Sequence, residues 1–167
     1  MGRRFPPPLF GTERIEERSQ CFVSLVAAAE HPLSMDSLVS RAQDRLTKPN
    51  GGSYSARYLE RIIQTYSQIG VLKEKSSGIS VYDFAYDWLR GDDEFQEFLW
   101  AGVKRAWAIE GEFPEGIEGL YDIHQLLKNA DEPLSSKELR ERLASERKYE
   151  FNEEGIRGYL PLLEGMG

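Results

Sequence analysis

At 167 residues, 40% apolar and 29% charged, the chain is long enough to bury a core and too apolar to stay disordered as a whole. The net charge of −7 speaks mildly against nucleic acid as a partner. Residues 1–90, however, hold twelve Lys and Arg against ten Asp and Glu, while residues 91–167 hold nine against eighteen.

No apolar run approaches the ~20 residues that span a bilayer, so no membrane partner is expected. Cys21 is the one cysteine, which leaves no internal disulfide or cysteine–zinc framework and points to a reducing, cytoplasmic setting. Flanked by Phe22, Val23 and Leu25, it reads as a small core residue. The start, MGRRFPPPLF, lacks the long apolar segment of a signal peptide. Pro6 stands where an N-acylation signal carries Ser or Thr. Pro6 to Pro8 predict a stiff extended arm over residues 1–11, carrying Arg3 and Arg4 toward a minor groove.

A first unit is expected over residues 12–90. Apolar residues Ile15, Phe22, Val23 and Val26 at helical spacing predict a helix over about Thr12–Glu30. Pro32 breaks it, and Ser34 is a natural N-cap for a short helix, about Met35–Leu46, that buries Leu38, Val39 and Ala42. A polar loop, TKPNGGS, leads to a third helix, about Ser55–Gln68. It buries Leu59, Ile62, Ile63 and Tyr66 and leaves Arg57, Glu60, Arg61, Gln64, Thr65 and Gln68 outside. Gly70 is placed to end it. The period then changes from 3.6 to 2: VLKEK and ISVYDF read as two strands joined by the turn SSG. Three helices followed by a β-hairpin predict a winged helix-turn-helix, with the third helix as reader and the hairpin as wing.

The pattern then recurs. LVAAAEHPLSMDSLV from Leu25 aligns without a gap on LLKNADEPLSSKELR from Leu126, matching Leu25, Pro32, Leu33, Ser34 and Leu38 to Leu126, Pro133, Leu134, Ser135 and Leu139. The second unit, residues 112–167, is predicted as helices over about Ile117–Asn129, Ser136–Glu146 and Glu153–Gly165. Gly167 falls where Gly70 stands before the wing, so a second wing is expected beyond it. Residues 91–111 supply a connecting helix, and Trp88, Phe95, Leu99, Val103 and Trp107 give this region an apolar face to hold the units together. The expected fold class is mainly α with a small β wing: a tandem winged helix-turn-helix.

Residues 41–75 carry seven cations against three anions, and they include the third helix and the wing. Arg57 and Arg61, one turn apart, suit guanine, and Gln64 suits adenine. Ser53, Tyr54 and Ser55 stand at the helix N-terminus, where exposed N–H groups favour phosphate. Lys48, Lys73, Lys75 and Ser76 are placed to hold flanking phosphates. A plainer alternative is that Arg57 and Arg61 only pair with Glu60 or another acid, contributing ~0.3–0.5 kcal/mol per pair. In the second unit Glu153 and Glu154 stand where phosphates would lie. Arg147, Lys148, Tyr149, Asn152 and Arg157 remain DNA-contact candidates, and packing on a partner protein or self-association is the alternative.

No catalytic motif, phosphate-cradling glycine loop or metal-ligand spacing occurs, so neither catalysis nor a cofactor is expected. Asp92, Asp93 and Glu94 read as partners of a helix N-terminus, and His31 as a dipole partner at a helix end. The order S-Y-S-A-R-Y, I-G-V-L-K-E-K, a wing, DFAYDWL, a connecting helix and GIEGLYDIHQLLKNADEPLSSKELRERL resembles the N-terminal recognition region of type IIS restriction endonucleases of the FokI and AlwI kind. The most specific pieces are Ala56-Arg57 and Gly70-Val71-Leu72. The resemblance implies tandem winged-helix units that read double-stranded DNA, with Arg57 and Arg61 in reading roles. The paired acids and lysine of the nuclease part are not evident, so no cutting activity is implied, and the acidic second unit departs from the pattern. The expected function is DNA recognition by a non-catalytic part of a restriction or defence protein. A protein-binding or dimerising scaffold and a winged-helix transcription regulator are the alternatives.

Overall fold

The structure is a computed structural model that describes residues 3–4, 12–107, 117–146 and 149–150. It is mainly helical. The elements are β1 (Arg3–Arg4), α1 (Ile15–Ala27), α2 (Met35–Gln43), α3 (Ala56–Gln68), β2 (Lys73–Lys75), β3 (Gly78–Ser80), α4 (Phe84–Leu89), α5 (Phe95–Trp107), α6 (Ile117–Lys128), α7 (Ser136–Glu146) and β4 (Tyr149–Glu150).

The first unit is built as its pattern requires. Phe22, Leu38, Leu59, Ile62, Ile63 and Tyr66 are fully buried where α1, α2 and α3 pack together, and each such side chain contributes about 1.5–3 kcal/mol of apolar transfer. Phe22 meets the Tyr66 ring edge-on at 5.5 Å. Cys21 belongs to the same core, and burial pushes its thiol up to about 11. The short helix starts where expected, with the Ser34 hydroxyl accepting from the Ser37 amide at 3.1 Å. The first helix is shorter than its periodicity suggests: it ends at Ala27, so His31 lies in the following loop and not at a helix end.

β2 and β3 pair antiparallel, Lys73 opposite Ser80 and Lys75 opposite Gly78, around the two-residue turn Ser76-Ser77. The hairpin is tied back to the helices by a contact that periodicity does not reveal. Leu33, just before α2, exchanges both backbone hydrogen bonds with Ile79, at 3.0 and 2.7 Å. Gly78 permits this: its φ is +127°, and a Cβ there would stand 2.8 Å from the Leu33 carbonyl oxygen. Three helices followed by a small antiparallel sheet are compatible with a winged helix.

Further along the chain, α6 and α7 lie close to the helices expected over about Ile117–Asn129 and Ser136–Glu146. Ser135 caps α7 as Ser34 caps α2, its hydroxyl accepting from the Glu138 amide at 3.2 Å. The Glu138 carboxylate accepts in return from the Ser135 amide at 2.7 Å, and hydrogen bonding from Ser135, its backbone amide first, holds that carboxyl below its ordinary range. Leu126 and Leu139 are buried like their counterparts Leu25 and Leu38. The expected third helix, over about Glu153–Gly165, lies outside the described residues.

Between the units, α5 packs its Phe98, Leu99 and Val103 inward and crosses the end of α3 where Gly70 meets Gly102, backbone against backbone. An aromatic series runs across the junction: Tyr82 stacks on Phe84 at 5.3 Å, Phe84 lies 5.9 Å from Phe98, and Phe98 stacks on Trp88 at 4.5 Å. Arg3 and Arg4, expected on a free arm, instead have their backbone paired parallel with Tyr149 and Glu150. No helix among the described residues is long and apolar enough to cross a membrane.

Candidate nucleic-acid interface

On α3 the split between buried and solvent faces puts Arg57, Arg61, Gln64 and Gln68 in one exposed stripe. Thr65, expected outside, is buried instead: its hydroxyl donates to the Arg61 carbonyl at 3.2 Å, which lets a small polar residue turn inward. No ion pair joins Arg57 to Glu60 among the described residues, while Arg61 does make an interaction of its own.

The N-terminal end of the helix is built by the TKPNGGS loop. The Lys48 amide donates to Gly52 at 2.8 Å, the Gly51 amide to Lys48 at 2.8 Å, and Asn50 Oδ1 accepts from the Gly52 amide at 2.9 Å. This tight turn brings Lys48 beside the start of α3, where Lys48, Tyr54, Ser55 and Tyr58 line an open pocket of about 320 Å³. The Ser55 hydroxyl accepts from the Tyr58 amide at 3.2 Å, so its first task is to cap the helix. Ser53 is exposed and bridges Thr47. Ser55→Ala is expected to cost about 1 kcal/mol in urea denaturation. Ser55→Asp keeps a good cap and so should keep stability, while setting a negative charge at the pocket and weakening any anion bound there.

Tyr54, expected among the contacts, turns most of its surface inward and shows only an edge to the pocket. It is buried, stacked on Tyr58 with centroids 5.2 Å apart. The reason is Arg18, a charged residue of α1 that the periodic pattern overlooks. Its side chain is 7% exposed, and the guanidinium lies 3.4 Å from Glu13, 3.4 Å from the Tyr58 hydroxyl and 3.5 Å from the Tyr54 hydroxyl. Burial works against its charge, but the Tyr54 hydrogen bond and the neighbouring tyrosines outweigh it and hold Arg18 above its ordinary value. The pair of rings thus serves the interior and orients the start of α3.

On the hairpin, Lys75 and Ser76 are exposed and Lys73 is half-buried. Two residues missed by periodicity join them. Lys73 Nζ lies 5.2 Å from the centroid of Tyr82, and Arg105 Cζ, from α5, lies 4.8 Å from the same ring. Their only trace in the sequence is the strand-like alternation that runs on from Ser80 to Tyr82 and the Lys104-Arg105 pair at a helix end.

Of the second-unit candidates, Arg147, Lys148, Asn152 and Arg157 lie outside the described residues, and only the backbone of Tyr149 is placed, in β4. A separate groove of about 730 Å³ between α5 and α6 is lined by Glu97, Trp100, Lys104, His124 and Lys128. There the His124 ring meets Trp100 edge-on at 4.9 Å; burial, then the charges of Lys128 and Lys104, lowers the His124 pKa. Among the described residues no group of three or more His, Cys, Asp or Glu is placed to hold a metal ion. Comparison with family models, with curated proteins and with solved structures finds no match.

Proposed function

We propose that this chain binds double-stranded DNA through its first unit, laying α3 in the major groove and the hairpin along the flanking backbone. The observation that carries the reading is the exposed stripe Arg57, Arg61, Gln64 on the face of α3 opposite the core, with Lys48 at one end and Lys73 and Lys75 beyond the other. Arginine and glutamine on a helix face are what base edges recognise bidentately, and lysines at the margins suit phosphates. In this reading the three helices and hairpin are a winged helix. The matched serine caps and buried leucines of α2 and α7 support reading the second unit as its tandem copy. The resemblance to type IIS recognition regions then casts the chain as a non-catalytic reader.

The test is duplex affinity by fluorescence anisotropy across a range of salt. A linear fall of log K with log salt is expected, with a slope of about −0.9 for each phosphate neutralised. Lys75→Gln should reduce that slope by about one without changing base preference. A wild-type chain that binds no duplex even at low salt would overturn the reading.

A second reading rests on the charge of residues 91–167 and on Asp93 and Glu97 at the start of α5, beside Asp87 and Asp92, which Arg90 already pairs. There burial, then its acidic neighbours with Glu97 first, raises the Asp93 pKa. This acidic surface suits a protein partner or self-association. Capture that survives high salt, with no duplex shift at low salt, would favour it.

A further inference from the structure

We propose that Arg105, in the last turn of α5, joins Lys73 and Lys75 around Tyr82 to form a phosphate-binding corner for the backbone of a nucleic acid. The assignment of that ligand rests on the duplex-binding reading; the corner itself rests on geometry. Strand alternation puts Lys73 and Lys75 on one side of β2, and the same alternation carries Ser80 and Tyr82 to one side of the returning chain. Lys73 and Arg105 both approach the Tyr82 ring, 5.2 and 4.8 Å from its centroid.

Two features hold these groups in register. Gly70 and Gly102 touch backbone to backbone, and Lys73 and Arg105 each stand three residues further along, one after the end of α3 and the other one turn along α5. The Tyr82–Phe84–Phe98 series then fixes the ring between the hairpin and the helix. The α5 backbone that carries Arg105 therefore cannot drift from the hairpin without breaking packed contacts.

The electrostatics call for an anion. Three cations converge here, and among the described residues none of them has a carboxylate within ion-pair distance. The ammonium of Lys75 foremost, then desolvation and then Arg105, hold Lys73 below its ordinary pKa, while Asp83 acts the other way. Cation–π contacts with Tyr82 offset part of this repulsion. A phosphate removes it, because its oxygens accept from both ammonium groups and from two N–H groups of the guanidinium fork. An open corner of this kind holds a single free phosphate poorly. It suits a polymer that presents phosphates in series and is anchored elsewhere, as at Lys48 and the α3 stripe.

The test uses the full chain, with wild type, Arg105→Gln and Arg105→Lys compared for mixed-sequence duplex binding across salt, and with pyrophosphate titrated against the Arg105 Nε–H signal. Circular dichroism checks that the variants fold. Arg105→Gln is expected to lower the salt slope by about one and affinity several-fold at low salt, with base preference unchanged. Arg105→Lys should restore most of the slope. An unchanged slope and affinity in Arg105→Gln, while the wild type binds, would overturn the corner and leave the α3 reading standing. If the wild type binds no duplex, the DNA assignment falls, and pyrophosphate decides the rest. A shift of Arg105 that is lost in Lys73→Gln would reassign the corner to a small phosphate, and no shift would overturn it altogether.

Discussion

Replacing Arg57 and Arg61 together by alanine is expected to weaken duplex binding by at least about 2 kcal/mol, roughly thirty-fold, and to flatten the preference among sites. Each bidentate arginine–base contact discriminates by ~1–3 kcal/mol, and the two residues stand one turn apart on the same exposed stripe. The fold should not suffer. Both side chains lie on the solvent face, where substitutions stay within about 0.5 kcal/mol, and removing like charges at i and i+4 is mildly favourable to the helix. Anisotropy with a panel of duplexes, alongside urea denaturation, separates the two effects. Wild-type affinity and preference in the double variant would remove α3 as the reader.

The largest effect on stability is expected at Gly70. Its φ is +81°, and an added Cβ would lie 2.1 Å from the carbonyl oxygen of Gly102 and 2.5 Å from its carbonyl carbon. Alanine in that conformation costs ~1–2 kcal/mol, and forcing two backbones apart adds ~1–3 kcal/mol. For a chain of this size the sum lowers Tm by about 10 °C. Gly51→Ala is the control: its φ is +85° with nothing within 4 Å, so it should show the conformational cost alone. Gly102→Ala supplies a test of sign. In an open helix that change stabilises by about 1 kcal/mol, but here the new methyl would sit 2.7 Å from the Gly70 oxygen, and a loss is expected. A gain at Gly102 would mean that the two backbones are not in contact.

How much of this was legible depended on distance along the chain. The cap at Ser34, the stop at Gly70 and the hairpin turn are local, and a few residues announce each, whereas the cap at Ser55 reads in the sequence as a phosphate contact. The stripe of α3 follows from its own periodicity, apart from Thr65, whose short side chain bonds back to its own helix. Arg18 breaks the rule that charge points outward, because Tyr54 and Tyr58, some forty residues on, supply its partners. The Leu33–Ile79 bridge and the meeting of Arg105 with Tyr82 join elements far apart in sequence, and no local pattern encodes such meetings.

The backbone seam between Gly70 and Gly102 has a thermodynamic consequence for any complex. Because α5 clasps the base of the hairpin, the basic flap acquires its shape when the chain folds, and association finds it ready-made. Calorimetry on a duplex should then return a heat-capacity change no larger than the apolar area covered requires, without the extra increment of a segment that orders on arrival.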